Sequence, residues 1–195
     1  MEHYFTRKPT SPERVSVIQS TLRGRLLQFK TSSGVFSKDK IDFGTKILVE
    51  TVTVNPNEVL LDVGCGYGVI GISLSFFCDS AVLIDINERA CQLTRENIWL
   101  NKVSNAYVVC GSPVCVQSIF DVVVMNPPIR AGKKVVFQLI EESKTCLNPS
   151  GRLYVVARTR QGAKSIYSFM DGLFSETEYA SLKGGYRVIE GVLDW

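Results

Sequence analysis

The chain has 195 residues, of which 45% are hydrophobic and 21% charged, and its formal net charge of +3 is mild; these values favour one globular domain with a substantial core. It has no apolar run long enough to cross a bilayer and no signal-peptide pattern at its start, so we expect a cytoplasmic protein. A single histidine, His3, and six cysteines without a C-x-x-C pair argue against a histidine-dependent catalytic triad, a metal site and a disulfide framework.

Positive charge is concentrated near the N-terminus. Residues 1–40 hold eight basic and three acidic side chains, which leaves the rest of the chain at −2. A basic arm suggests a polyanionic partner such as RNA, although a solvated tail would have the same composition. We predict that residues 1–20 are extended or irregular and that Leu22–Phe36 forms a short strand or hairpin turning at Ser33-Gly34. This unit, residues 1–40, is expected to pack on a domain formed by residues 41–195.

Apolar runs and helical patterns alternate along that domain. After a helix predicted at 42–51, parallel strands are predicted at Val59–Val63, Val82–Asp85, Ala106–Cys110, Phe120–Met125 and Leu153–Ala157. Helices are predicted at Val69–Phe77, Asn87–Leu100, Gly132–Cys146 and Gly162–Met170, and a closing antiparallel hairpin at Phe174–Leu182 and Arg187–Leu193. The order predicts an α/β fold with a doubly wound, mostly parallel, seven-stranded Rossmann-like sheet. Ligands bind such sheets beyond the carboxyl ends of the strands.

The strand Val59–Val63 runs directly into glycines at positions 64, 66 and 68. Glycines there allow a tight turn and a close approach of the backbone to a ligand. Asp85 ends the next strand about twenty residues later, where a ribose-binding carboxylate is expected. The absence of Gly-Lys-Ser/Thr excludes a P-loop, whereas Gly66–Gly71 matches a dinucleotide pattern and keeps NAD possible. Asp62 favours another ligand, because a carboxylate before the turn repels pyrophosphate and suits a cationic amino-acid head group.

Asn126-Pro127-Pro128 follows the almost wholly apolar strand Phe120–Met125. Each proline forces the residue before it toward an extended conformation, so the Asn126 side-chain oxygen and the Pro127 carbonyl can both face the ligand edge. Two fixed acceptors suit a planar NH₂ group. Accepting both hydrogens favours a pyramidal nitrogen whose lone pair points at a methyl donor, so catalysis would depend on positioning and electrostatics and not on a strong base.

Asp62–Gly68 together with Asn126-Pro127-Pro128 resembles the amino-group branch of the class I S-adenosylmethionine-dependent methyltransferases. Gly34-Val35-Phe36-Ser37, Asp42-Phe43-Gly44-Thr45 and Lys183–Val188 are similar to the methyltransferase-small family, which includes small-subunit ribosomal RNA guanine-N2 methyltransferases. Two departures stand out. Ile129 occupies a position where many relatives have an aromatic residue, and the chain is too short for the second, degenerate domain copy of the bacterial ribosomal enzymes.

The resemblance implies S-adenosylmethionine as cofactor and a role for each matched residue. The glycine loop would hold the methionine moiety, Asp85 the ribose hydroxyls and Ser112 the adenine edge. The cofactor-binding residues expected from it are Asp62, Gly64, Cys65, Gly66, Gly68, Asp85, Ile86, Gly111, Ser112 and Asn126. The expected catalytic residues are Asn126, Pro127 and Pro128, and the expected substrate-binding residues are Phe36, Ile129, Arg130, Lys133, Tyr186 and Arg187.

Three functions fit these residues. The leading hypothesis is methylation of an exocyclic base amine in RNA, most simply guanine N2 of ribosomal RNA, with basic side chains on the phosphates and the base flipped or unpaired. A protein glutamine amide is an alternative acceptor, because it also presents an NH₂ group. The third is a catalytically silent module that binds RNA or a protein. No metal or membrane partner is expected, and the oligomeric state stays open with a slight preference for a monomer.

Overall fold

The computed structural model describes residues 15–35, 39–117 and 119–194. An antiparallel hairpin, β1 (Val15–Leu22) and β2 (Arg25–Ser32), comes first, followed by helix α1 (Phe43–Thr51). The remaining elements are β3 (Val59–Val63), α2 (Val69–Ser75), β4 (Ser80–Asp85), α3 (Glu88–Leu100), β5 (Ala106–Cys110), β6 (Phe120–Met125), α4 (Lys133–Lys144), β7 (Leu147–Arg158), α5 (Ala163–Asp171), β8 (Glu176–Lys183) and β9 (Tyr186–Val192).

Seven strands form one sheet in the order β5-β4-β3-β6-β7-β9-β8. Strands β3 to β7 pair in parallel, and β9 is antiparallel to both of its neighbours. The predicted doubly wound sheet with a closing hairpin is therefore confirmed. The chain winds outward from β3 in one direction and from β6 in the other, so the loops after these two strands separate and leave a crevice between them.

Strand alternation divides the core between the two faces of the sheet. Leu60, Val122 and Val124 belong to a buried cluster with residues of α1, α2 and α3. Leu61 and Met125 point the other way, into a cluster with α4 and α5. Because successive side chains of a strand face opposite sides, Asp62 lies on the same face as Leu60, toward α2.

The N-terminal hairpin begins earlier than predicted. Val15–Ser20 is strand and not irregular chain, and the hairpin turns at Arg23-Gly24 and not at Ser33-Gly34. Both turn residues have positive φ, +46° and +74°, as a two-residue hairpin turn of the mirror-image type requires. Arginine is not typical of such a turn, so the sequence does not predict the turn at this position. Arg23 is held there because its side chain donates to the carbonyl oxygens of Val49 and Val52 at the end of α1.

The hairpin is fastened to α3 by two asparagines one helical turn apart. The Asn97 amide accepts from the Lys30 N–H at 2.7 Å and donates to the Lys30 carbonyl at 2.9 Å. Asn101 does the same to Gln28, at 3.0 and 2.7 Å. The two side chains thereby replace a neighbouring strand along β2. The predicted boundary at residue 40 stays a prediction, and His3, Phe36 and the arm before Val15 lie outside the described residues.

Strand β7 is longer than predicted. It begins at Leu147, and the predicted helix ends at Lys144 instead of Cys146. The residues Asn148–Gly151 form an irregularity in the pairing with β6, where Phe120 pairs with Leu147 but Val122 pairs with Arg152. The predicted helix and the predicted strand Leu153–Ala157 leave this stretch as a connection, whereas it forms a bulge within one strand.

Candidate active site

A cavity of about 270 Å³ opens at the carboxyl ends of β3, β4, β5 and β6. This volume is near the lower end of the range of roughly 300–1,000 Å³ for small-molecule sites. Four loops supply its walls: Gly64–Tyr67 after β3, Asp85-Ile86 at the end of β4, Gly111–Pro113 after β5 and Asn126–Pro128 after β6. The remaining lining residues are Val35, Asp42, Thr45, Val63, Val69, Ile70, Ile84, Ala90, Ala131, Val135 and Leu139.

The glycine loop is held by backbone hydrogen bonds from the neighbouring strand. The Gly64 and Cys65 N–H groups both donate to the Ile84 carbonyl, at 2.9 and 3.1 Å. Gly64 and Gly66 adopt φ of +70° and +59°, which favours glycine at both positions. Gly71 fills the third place of the glycine pattern, where a Cβ would come within 2.5 Å of the Leu83 side chain. The loop therefore needs its glycines for turning, and α2 needs Gly71 for close packing on β4.

Asp62 lies beneath this loop. It is fully buried, and its Oδ2 accepts from the Gly71 N–H at 2.8 Å. Its Oδ1 has no hydrogen-bond partner among the described residues. Burial is the main cause that raises the pKa of the carboxyl to about 7. Asp62 does not line the cavity, so direct contact with a ligand does not follow from the geometry; the same holds for Gly68, whose N–H donates to the Cys65 carbonyl.

Asp85 ends β4 in the wall of the cavity. Its Oδ2 accepts from the Gly66 N–H at 2.9 Å and its Oδ1 from the Asn87 N–H at 2.8 Å. Burial raises the pKa of Asp85 to about 6, against the lowering effect of these hydrogen bonds. A carboxylate has about four acceptor sites. The Gly66 and Asn87 bonds do not use all of these sites, so Asp85 can still accept from a ribose hydroxyl.

Asn126 is oriented by a residue of α1. Its Nδ2 donates to the Thr45 Oγ1 at 2.9 Å, and its Oδ1, which has no hydrogen-bond partner among the described residues, is available to accept. The Pro127 carbonyl accepts from the Ile129 N–H at 2.8 Å, across Pro128 with φ −74° and ψ 75°. These angles are those of an inverse γ-turn. One lone pair of the Pro127 carbonyl is therefore used by the turn and the other remains.

The residues predicted to bind substrate have different surroundings. Tyr186 is buried and braces the site: its hydroxyl donates to Asp42 at 3.2 Å and accepts from Arg158 at 2.7 Å. The Arg187 guanidinium donates to the Tyr186 carbonyl at 3.2 Å, and the Lys133 ammonium donates to Ser165. None of these three lines the cavity.

Ile129 and Arg130 form the short 3₁₀ turn after the prolines. Ile129 is half-buried against the cluster that contains α4 and α5, whereas Arg130 is exposed. Neither lines the cavity, and Phe36 lies outside the described residues. The substrate-binding roles predicted for all six residues stay predictions.

Sequence reasoning missed two polar residues of the site, Asp42 and Thr45. Asp42 caps α1 by accepting from the Gly44 and Thr45 N–H groups, at 2.9 and 3.3 Å. An aspartate before an apolar helical pattern is an N-cap signal, so the helix start was readable from the sequence. The position of Thr45 against Asn126, 81 residues away, depends on how α1 packs on the sheet.

The structural comparison gives the same fold. The T. thermophilus 16S rRNA N2 methyltransferase RsmC, in complex with AdoMet and guanosine, matches with a TM-score of 0.83 at 19% identity, over 95% of this chain and 52% of that one. M. jannaschii TYW2 in complex with AdoMet matches with a TM-score of 0.64 at 18% identity, over 94% and 87%. At these identities the likeness concerns the fold alone.

The sequence comparisons decide the family. Residues 26–190 match the model of the methyltransferase small domain. The chain belongs to the methyltransferase small domain family. An uncharacterised protein of Bacillus subtilis, YbxB, is 40% identical over 97% of both chains. The ribosomal RNA small subunit methyltransferase C of Cronobacter sakazakii is 28% identical over 86% of this chain and 50% of its own length, so this chain spans about half of that relative.

As a methyltransferase small domain, the chain is an S-adenosylmethionine-dependent methyltransferase. The cavity residues fit this cofactor: Asp85 keeps acceptor capacity for a ribose hydroxyl, and Gly111 with Ser112 and the exposed Ile86 flank the space beside it. Asp62 is buried below the loop and does not line the cavity, so its contact with the cofactor stays a prediction. The roles of the individual cofactor residues stay predictions.

In the described ranges, no cluster of histidine, cysteine, aspartate or glutamate could hold a metal ion, and no helix is long and apolar enough to span a membrane.

Proposed function

We propose that this methyltransferase transfers a methyl group to an exocyclic amino group of a base in RNA, with guanine N2 of ribosomal RNA as the acceptor. The observation that carries the proposal is the fixed orientation of Asn126. Because its Nδ2 is used by Thr45, its Oδ1 is the atom available to accept a hydrogen bond in the cavity. The second lone pair of the Pro127 carbonyl is the other acceptor.

The chemistry follows from those two acceptors. S-adenosylmethionine supplies an electrophilic methyl group when it is bound. Asn126 Oδ1 and the Pro127 carbonyl accept the two hydrogens of the acceptor amine, which holds the nitrogen with its lone pair directed at the donor. Both acceptors gain strength as positive charge develops on the nitrogen, so they stabilise the transition state more than the ground state. The amine then loses one proton to water.

No strong base lines the cavity in the described part of the chain. The ionisable lining residues are Asp42, Cys65, Tyr67 and Asp85. Burial raises the pKa of Cys65 and of Tyr67, so both stay neutral near pH 7. Asp85 is assigned to the ribose, and Asp42 accepts from two N–H groups and the Tyr186 hydroxyl. These four lining residues suit a reaction that depends on positioning of the amine more than on abstraction of a proton.

Basic side chains beside the cavity favour RNA over a protein amide. Three segments lie at the carboxyl edge of the sheet: 129–135 after β6, 158–164 after β7 and 183–187 between β8 and β9. They contain eight basic and no acidic residues, which we call the basic crescent: Arg130, Lys133, Lys134, Arg158, Arg160, Lys164, Lys183 and Arg187. All are exposed except the half-buried Arg187. Phosphates need such a field, whereas a glutamine amide does not.

The relatives point to the same acceptor. The Cronobacter sakazakii relative is a ribosomal RNA small subunit methyltransferase, and the T. thermophilus neighbour is a 16S rRNA N2 methyltransferase bound to guanosine. Transfer of these properties is part of the proposal, since this chain spans about half of either protein.

The test is methyl transfer to unmodified small-subunit ribosomal RNA from cofactor with a labelled methyl group, followed by nucleoside analysis. The expected product is N2-methylguanosine at one position. The Asn126→Ala variant is the control, and it should lose turnover while keeping cofactor affinity. Label on a glutamine of a ribosomal protein would favour the amide acceptor. No transfer to either acceptor, with cofactor bound, would contradict the proposal.

A further inference from the structure

An exposed aromatic ring lies beside the substrate half of the cavity. Phe43 is the first residue of α1, and 45% of its surface is exposed. It directly follows Asp42, which lines the cavity, and comes two residues before Thr45, which orients Asn126. Phe43 does not itself line the cavity. The ring is therefore attached to the segment that forms this wall of the cavity and lies outside the cavity.

The ring is held in place by the β8–β9 hairpin. It meets the Tyr186 ring edge to face, with centroids 5.9 Å apart at 71°. Gly184 lies in the hairpin turn next to the Phe43 ring. A Cβ at this position would overlap Phe43 Cε1, so glycine leaves the room that the ring needs. Tyr186 is itself fixed by hydrogen bonds to Asp42 and Arg158. Phe43 is thus positioned by its neighbours while almost half of its surface stays in solvent.

The surroundings of Phe43 match a base-stacking platform. Arg158 and Lys183, both exposed members of the basic crescent, flank the turn over which the ring lies. Aromatic side chains among basic ones are how single-stranded nucleic acids are held, the rings on the bases and the charges on the phosphates. Ile129 cannot provide a platform, because it is aliphatic and half-buried in the core under α4.

We propose that Phe43 stacks on the nucleobase next to the methylated base in the RNA strand. The neighbouring base, and not the target, is the partner because the ring lies outside the cavity that receives the target amine. The inference rests on the proposed RNA acceptor and adds a residue that contributes to RNA binding. Stacking of one base on an aromatic side chain contributes about 1–3 kcal/mol, which is roughly a 5- to 150-fold effect on Kd.

The experiment is a double-mutant cycle between the ring and the base. The probe is a fluorescein-labelled adenine 12-mer RNA with one central guanine, and anisotropy gives its Kd with S-adenosylhomocysteine present. Two further probes lack the base 5′ or 3′ of the guanine. For wild type, one of these abasic probes should bind roughly 5- to 150-fold more weakly. Phe43→Leu should weaken the intact probe by the same factor and be insensitive to the abasic site.

Matched variants separate stacking from folding. Phe43→Trp should keep the wild-type Kd and the abasic effect, since it retains an aromatic face. Trp99→Leu removes another exposed ring, 80% exposed on α3, and should change nothing. Cofactor affinity measured by calorimetry should be the same for all variants.

Two results would overturn the stacking role. The first is that Phe43→Leu binds the intact probe with the same Kd as wild type. The second is that the abasic site raises the Kd of Phe43→Leu by the same factor as that of wild type. If ribosomal RNA is methylated normally in either case, the proposed function stands and only the role of Phe43 is wrong. If wild type binds cofactor but neither the probes nor ribosomal RNA, the RNA acceptor fails and the stacking inference fails with it.

Discussion

Single polar residues in this site divide their hydrogen bonds between the fold and the ligand. The Asn126 Nδ2 donates to Thr45, and the Asn126 Oδ1 remains to accept from the amine that is to be methylated. Asp85 accepts from the backbone of Gly66 on one oxygen and of Asn87 on the other, and these bonds do not use all of its acceptor sites. Each side chain is therefore fixed before a ligand arrives, which lowers the cost of organising the site during the reaction.

Thr45→Val tests whether the orientation of Asn126 matters. Valine has the same shape but no acceptor, so the Asn126 amide loses its anchor and can rotate. We expect the single-turnover rate to fall about 3- to 10-fold, the equivalent of one hydrogen bond of roughly 1 kcal/mol. Cofactor Kd should stay unchanged, and Thr45→Ser, which keeps the hydroxyl, should restore the rate. A wild-type rate for Thr45→Val would show that the hydrogen bond from Asn126 to Thr45 does not matter for catalysis.

Asp62 gives the protein a pH-dependent stability. Its pKa is about 7 when folded, against an ordinary value of 3.8, so between these pH values the folded chain keeps a proton that the unfolded chain has lost. The free energy of unfolding must then fall as pH rises from about 4 to 7. The full effect is up to about 4 kcal/mol.

Asp62→Asn removes this ionisation and keeps an acceptor for the Gly71 N–H. Urea unfolding at pH 4.5 and 8 should show a smaller loss of stability at the higher pH for the variant than for wild type. Asp79→Asn, which changes an exposed aspartate, is the matched control and should behave as wild type. Equal pH dependence of wild type and Asp62→Asn would show that Asp62 is ionised throughout in the folded chain.

At the scale of elements, α3 links the N-terminal hairpin to the glycine loop. Asn97 is fully buried, and its Nδ2 donates to the Tyr67 carbonyl in the loop at 2.8 Å as well as to Lys30 in β2. One side chain therefore satisfies backbone groups of two segments. Asn101 bonds only Gln28 of the hairpin and its own helix, at the surface.

Asn97→Leu should destabilise the protein far more than Asn101→Leu. Leucine removes three hydrogen bonds: the part-buried ones to the Lys30 N–H and the Lys30 carbonyl, and the buried one to the Tyr67 carbonyl. We expect a loss of about 3 kcal/mol in the free energy of unfolding, against about 1 kcal/mol for Asn101→Leu, where water replaces the amide. Urea unfolding of both variants measures the difference. Equal losses would mean that the buried fastening contributes no more than the exposed one.

These elements also show which features of the fold can be predicted from the sequence and which cannot. Apolar strands, the glycine loop and the asparagine after β6 were predictable because local pattern determines them. The hairpin turn was not, because Arg23 adopts a left-handed conformation that its type disfavours, and its stabilising bonds go to α1, more than twenty residues away. The contact between Thr45 and Asn126 is likewise tertiary, and no local pattern encodes it.

On the scale of the whole molecule, charge is separated along the carboxyl edge of the sheet. Asp62 and Asp85 belong to β3 and β4, on the side proposed for the cationic cofactor. The basic crescent follows β6, β7 and β8, on the side proposed for RNA. Doubly wound topology produces this arrangement, since the strands on the two sides of the switch point end in different loops.

The most direct test of the account is replacement of the acceptor guanine by inosine, which lacks only the exocyclic amino group. A ribosomal RNA fragment carrying the mapped guanine is compared with the same fragment carrying inosine at that position, in single-turnover methylation and in binding. We predict equal binding and no detectable transfer to the inosine fragment. Methylation of both fragments at the same rate would place the methyl group on another atom and contradict the account.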